Sequence, residues 1–93
     1  MRTIDRSSEF KRDYKRESKG QHRATLNDAF MLMLTALAAD QPLDARHRDH
    51  DLSGNWAGYR ECHVKPDLLL IYRKRGSDTL RLARMGSHSE LFG

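Results

Sequence analysis

Of the five histidines in this 93-residue chain, four fall in the second half, at His47, His50, His63 and His88. Histidine is the side chain that gives or takes a proton near neutral pH, so these positions mark candidate chemistry wherever carboxylates and fixed positive charge lie close by. His50 sits in a long polar stretch. His63 follows Glu61 by two positions in a strand-like run, and side chains two apart on a strand share a face. Asp67 lies just past a short turn, where an antiparallel return carries it close to His63. Arg84 and His88 share parity if alternation persists beyond the last strand-like run. Adjacent strands then gather Glu61, His63, Asp67, Arg84 and His88 at one end of a sheet, with the long loop bringing His50 over it.

That set of side chains suits RNA cleavage. The 2′-hydroxyl is a built-in nucleophile, so an enzyme needs a base for its proton, an acid for the 5′-leaving oxygen and positive charge for the developing phosphorane. An imidazole can serve as base or acid, each worth about 10²–10⁴-fold. An arginine offers forked donors to phosphate oxygens, a nearby carboxylate orients an imidazole, and Phe92 near the end of the chain could stack on a base. Neither a metal nor a cofactor is expected. His47, His50, Cys62 and His63 match no standard zinc spacing and include a single thiol.

The elements that must position these residues are legible in outline. The run Arg2 to Arg6 alternates like a short strand, and Ser7 or Ser8 can cap a following helix. In that helix Phe10, Tyr14 and Glu17 share one face; Arg12, Arg16, Lys19 and Arg23 step along roughly the opposite one. A break at Gly20-Gln21-His22 precedes a second helix, with Leu26, Phe30, Met33 and Leu37 as its apolar stripe and Asp40-Gln41-Pro42 as its end. Met31, Leu32 and Leu34 widen that surface, which implies burial on a second side or a patch for a partner. From Asp44 to Gly58 the pattern is polar and aperiodic, a long connection of the kind that often carries function. Three strand-like runs follow, Tyr59 to Val64, Leu68 to Arg73 and Thr79 to Met85, joined by short turns that suit hairpins. The expected fold class is α+β: β-α-α-β-β-β, an antiparallel sheet with two N-terminal helices packed on one face.

Composition narrows the class further. Charged residues make up 32% and apolar residues 38% of the chain, the balance of a globular protein, and the length predicts one domain over residues 1–93. No apolar run approaches the roughly 18–20 residues needed to span a bilayer, there is no hydrophobic signal segment, and one cysteine excludes an internal disulfide; a cytoplasmic location with no membrane partner is expected. The net charge of +4 lies entirely within residues 1–23, where eight basic residues face four acidic ones. A basic segment on a neutral body suits a phosphate backbone or an acidic protein, and equally a solvated helix face laced with ion pairs.

The second half also carries a long pattern. The run from Asp49 to Tyr72, DHDLSGNWAGYRECHVKPDLLLIY, and the ending from Arg84 to Gly93, RMGSHSELFG, resemble the YafQ-type toxins of the RelE/ParE superfamily. The resemblance covers about half the chain closely. It implies a RelE-like fold and ribosome-dependent endoribonuclease activity, cleaving mRNA in the ribosomal A site. The partners it implies are mRNA on the ribosome, ribosomal RNA and a cognate antitoxin. By the same resemblance His50, His63, Asp67 and His88 match the catalytic group, Arg84 the phosphate-binding arginine and Phe92 the C-terminal aromatic near the RNA base. Glu61 stands where an aspartate is common, and Leu68 where an aromatic is often seen. On this reading His50 or His63 takes the 2′-hydroxyl proton, His88 protonates the leaving oxygen, Asp67 orients an imidazole, and Arg12, Arg16, Lys19 and Arg23 meet ribosomal RNA. The competing expectations are a ParE-like toxin that binds DNA gyrase without cutting RNA, and a nucleic-acid-binding regulatory module.

Overall fold

The computed structural model describes residues 1–93. Strand β1 (Thr3–Arg6) leads into helices α1 (Ser8–Glu17) and α2 (Leu26–Ala38); strands β2 (His50–Asp51), β3 (Arg60–Lys65), β4 (Leu68–Arg75) and β5 (Thr79–Gly86) follow, and a short helix α3 (His88–Phe92) ends the chain. Ser7 caps α1: its hydroxyl accepts from the Phe10 amide at 2.9 Å and donates to the Ala83 carbonyl at 2.6 Å. One side chain thus satisfies an orphan helix donor and ties α1 to β5.

The core forms where α1 and α2 cover one face of the sheet. Phe10 from α1 meets Leu26, Phe30, Met33 and Leu37 from α2, and these pack on Cys62, Val64, Leu68, Leu70, Tyr72, Leu80, Leu82 and Met85 from the strands. The rings of Phe10 and Tyr14 lie 5.8 and 5.2 Å from that of Phe30, locking the two helices together; truncating a buried aromatic of this kind costs about 3–5 kcal/mol. The α2 stripe is the one its spacing predicts. Of the additional apolar residues, Leu34 packs half-buried against the core, while Met31 is 46% and Leu32 78% exposed.

The sheet has five strands in the order β1-β5-β4-β3-β2. It is α+β and mostly antiparallel as expected, with four differences. β1 pairs with β5 in parallel, an arrangement that the long intervening chain permits and that hairpin logic does not reveal. Two residues of the long connection form β2 against β3, with His50 opposite Glu61 and Asp51 opposite Arg60, and the last residues coil into α3. A bulge interrupts β5: Tyr72 faces Leu82 while Ile71 faces Arg84, so Ala83 is the extra residue. The bulge resets the alternation. Leu80, Leu82 and Met85 all reach the core, and Arg84 is turned to the opposite face.

Candidate active site

That opposite face holds two cross-strand rows. His50, Glu61, Ile71 and Arg84 lie in register across β2, β3, β4 and β5, and His63, Leu69 and Gly86 form the next row. Leu69 and Ile71 are buried outside the main core and form an apolar floor. Two strand spacings, roughly 10 Å in total, separate the β3 side chains from those of β5.

On the β2–β3 side three groups converge. The Glu61 carboxylate is almost fully buried; its Oε1 lies 3.6 Å from His50 Nε2 and 3.8 Å from His63 Nε2. Each imidazole is anchored through its other nitrogen. His50 Nδ1 donates to the Arg48 carbonyl at 2.7 Å, and His63 Nδ1 to the Pro66 carbonyl at 3.2 Å. A carbonyl can only accept, so both Nδ1 atoms carry hydrogen and, in the neutral ring, both Nε2 atoms present a lone pair beside Glu61. Such a cluster can take a proton from a hydroxyl and hold it against a carboxylate. The separations exceed hydrogen-bond length, as catalytic contacts often do before substrate draws them together.

His50 stands on a two-residue strand, so its placement depends on its neighbours. Asp49 and Asp51 flank it, and Arg60 grips both, with Nη2 3.2 Å from Asp49 and Nη1 2.5 Å from Asp51. The Tyr72 hydroxyl also donates to Asp49. The Asp49 hydrogen bond raises the Arg60 pKa further above its ordinary value, while burial, followed by the contact with Asp49, pushes the Tyr72 hydroxyl up. His47, outside the expected site, donates from Nδ1 to the His63 carbonyl at 2.6 Å and pins the loop to β3.

Other expected residues are placed differently. Asp67 does not orient His63: its carboxylate accepts from Gln21 Nε2 at 2.7 Å and from His22 Nε2 at 2.8 Å. The turn between β3 and β4 points it toward the α1–α2 connection instead of back along β3. His88 does not continue the parity of Arg84, because β5 ends at Gly86 and Ser87 caps a helix in which Glu90 reciprocates by accepting from the Ser87 amide. His88 is instead exposed in the first turn of α3, its ring 5.1 Å from that of Phe92, with no contact to His50 or His63. Arg84 donates from Nε and Nη2 to Asp13 at 2.7 and 3.2 Å, and its Nη1 makes no hydrogen bond within the molecule.

The basic stripe is also smaller than its spacing implies. The α1 helix ends at Glu17, so Lys19 and Arg23 lie on the following turns, exposed along with Arg12. Arg16 is bound within the molecule, to Asp13, Glu17, Glu90 and the Met85 carbonyl. Gly86 makes room for that network: a Cβ there would sit 2.9 Å from Arg16 Nη2 and 3.1 Å from Glu90 Oε1. His22, Arg60 and Asp13 were not expected at the site. Arg60 lies 11 residues beyond Asp49 and nine beyond Asp51, a spacing that carries no local signal, and for His22 and Asp13 the partners lie 45 and 71 residues away. No three His, Cys, Asp or Glu side chains are arranged to hold a metal ion, and no helix is long and apolar enough to cross a membrane.

Known proteins share this architecture throughout. The mRNA interferase toxin YafQ of Escherichia coli is 40% identical over 93 residues, which cover all of this chain and 98% of that one. The crystal structure of YafQ from Escherichia coli strain BL21(DE3) superimposes with a TM-score of 0.83 at 36% identity, with both chains fully covered. The crystal structure of the Escherichia coli DinJ–YafQ complex matches with a TM-score of 0.80 at 35% identity, again over all of both chains. The family described as "Bacterial toxin of type II toxin-antitoxin system, YafQ" matches residues 2–93, and the chain belongs to that family.

Proposed function

We propose that this toxin cleaves mRNA on the ribosome by acid–base attack of the RNA's own 2′-hydroxyl. Endoribonuclease activity follows the mRNA interferase relatives; the chemical assignment rests above all on one observation, the Glu61 carboxylate set between the Nε2 atoms of His50 and His63. In-line displacement requires the group that takes the nucleophile's proton and the group that protonates the leaving oxygen to act from opposite sides of phosphorus. The imidazole pair lies at the β2–β3 side of the apolar floor, while Arg84 and α3 lie at the β5 side.

In this scheme His50 or His63 takes the 2′-hydroxyl proton and Glu61 stabilises the imidazolium that results. Arg84 offers Nη1 to a phosphate oxygen, where fixed positive charge counts most in the transition state. His88 delivers the proton to the 5′-oxygen, and Phe92, whose ring lies tilted beside it, receives a base. Asp67 contributes at one remove: by binding Gln21 and His22 it holds the turn containing Pro66, whose carbonyl fixes the His63 ring. Arg12, Lys19 and Arg23 meet ribosomal RNA. A cognate antitoxin neutralises the toxin, as expected from the complex of the Escherichia coli relative with DinJ.

The products decide the chemistry. Purified ribosomes carrying a defined mRNA should release fragments ending in a 2′,3′-cyclic phosphate (or its 3′-phosphate hydrolysis product) and beginning with a 5′-hydroxyl. Fragments that begin with a 5′-phosphate would contradict the scheme.

A further inference from the structure

Asp13 is a charged residue only 3% exposed, placed on α1 where that helix runs along the part of β5 left free by the shorter β1. Its Oδ2 accepts from Arg84 Nε at 2.7 Å and from the Met85 amide at 3.0 Å, and its Oδ1 accepts from Arg16 Nη1 at 3.1 Å and Arg84 Nη2 at 3.2 Å. Four donors thus occupy the four acceptor positions of one carboxylate. Stability alone is a poor reason for such a group, because a buried ion pair is often matched or bettered by apolar residues of the same volume. The bonds instead fix directions. Two of them hold the Arg84 guanidinium plane and leave Nη1 free. A third holds Arg16, which continues to the Met85 carbonyl at 3.0 Å and to Glu90 at 3.3 Å. Glu90 closes the capping box at the start of α3, the turn that carries His88.

We propose that Asp13 is a positioning residue for RNA cleavage, setting the guanidinium plane of Arg84 and, through Arg16 and Glu90, the direction of helix α3. This rests on the reading that Arg84 engages the scissile phosphate and His88 the leaving oxygen. Asp13 touches no substrate; it acts by removing the freedom of two groups that do, and small misplacements of such groups cost about 10²-fold in rate.

The test is a cycle of Asp13→Asn, Arg84→Ala and the double variant. Each is checked for folding by circular dichroism and then assayed for kcat and KM on ribosomes carrying a defined mRNA. Arg84→Ala should lower kcat about 10²–10³-fold. Folded Asp13→Asn should lower kcat at least tenfold with KM changed less than about threefold, and the double variant should lose less than the product of the two single losses, because part of the Asp13 effect acts through Arg84 and groups acting as a unit are not additive. A folded Asp13→Asn with wild-type kcat beside an inactive Arg84→Ala overturns this proposal and leaves the phosphate assignment standing, as does a double variant whose loss equals the product of the two. An Arg84→Ala protein of full activity overturns both. Should Asp13→Asn fail to fold, Glu90→Gln cuts the same chain at its exposed end and preserves the cap. A several-fold loss of kcat is expected, and wild-type kcat in that variant would overturn the proposal.

Discussion

Replacing Arg60 by alanine isolates the part of the site with the least secondary structure of its own. The guanidinium holds Asp49 and Asp51 on either side of His50, and β2 is only two residues long. A hydrogen bond to a charged partner contributes about 1.5–3 kcal/mol when sheltered. The Arg60 side chain is 36% and Asp49 27% exposed, so solvent screening reduces their forked contact to about 1–2 kcal/mol; the contact to Asp51, 82% exposed, adds little. If the whole loss fell on global unfolding, the melting temperature would drop by about 5–15 °C in a domain of this size. Loosening β2 should also cost roughly ten- to a hundredfold in kcat, since the His50 ring loses its orientation. Arg60→Lys should recover little, because an ammonium cannot reproduce the fork. Differential scanning fluorimetry and ribosome-dependent cleavage read the two effects separately. A destabilised Arg60→Ala protein that cleaves within twofold of wild type would refute the role of β2, and an unchanged melting temperature together with wild-type cleavage would refute the clamp.

Three other outcomes follow from particular contacts. Gly86→Ala should keep the fold but lower kcat about tenfold, because its Cβ would meet Arg16 Nη2 and Glu90 Oε1 at 2.9 and 3.1 Å and displace both; full activity would show that α3 tolerates the shift. The Cys62 thiol is wholly buried, and that burial, reinforced by the negative charges of Asp49 and Glu61, pushes its pKa up; iodoacetamide should label it only in denaturant, and rapid labelling of the native protein would count against the core as described. The Ser87 backbone amide, opposed in part by desolvation, holds the Glu90 carboxyl below its ordinary value. Its contribution to stability should therefore be present above the ordinary carboxylate range and lost as pH falls through the lowered folded value. The Ser87 amide resonance should follow that titration in wild type and be flat over the same range in Glu90→Gln.

Much of this architecture is written locally. Ser7 as a cap, the Leu26–Phe30–Met33–Leu37 stripe and the β3–β4–β5 hairpins each depend on residues a few positions apart, and each could be read without a structure. The pairing of Glu61 with His63 follows from strand parity in the same way. What escaped the sequence depends on contacts across the fold. A two-residue strand has too few positions to show alternation, so β2 looked like loop. The Ala83 bulge shifts the phase of β5, and the Ser87 cap ends the strand before parity can reach His88. Arg16 looked like one more basic surface residue because its partners Asp13, Glu90 and Met85 come together only when α1, β5 and α3 pack. Asp67 looked like a partner for His63 because turn geometry, and not residue type, decides that it faces His22.

The central claim is that the RNA supplies the nucleophile and the toxin supplies proton transfer around it. An mRNA carrying a single 2′-deoxyribose at the mapped scissile nucleotide, presented on purified ribosomes, tests this most directly. Cleavage at that bond should disappear while the same message with ribose is cut. Cleavage of the deoxy-substituted message at the same bond and a comparable rate would contradict that claim.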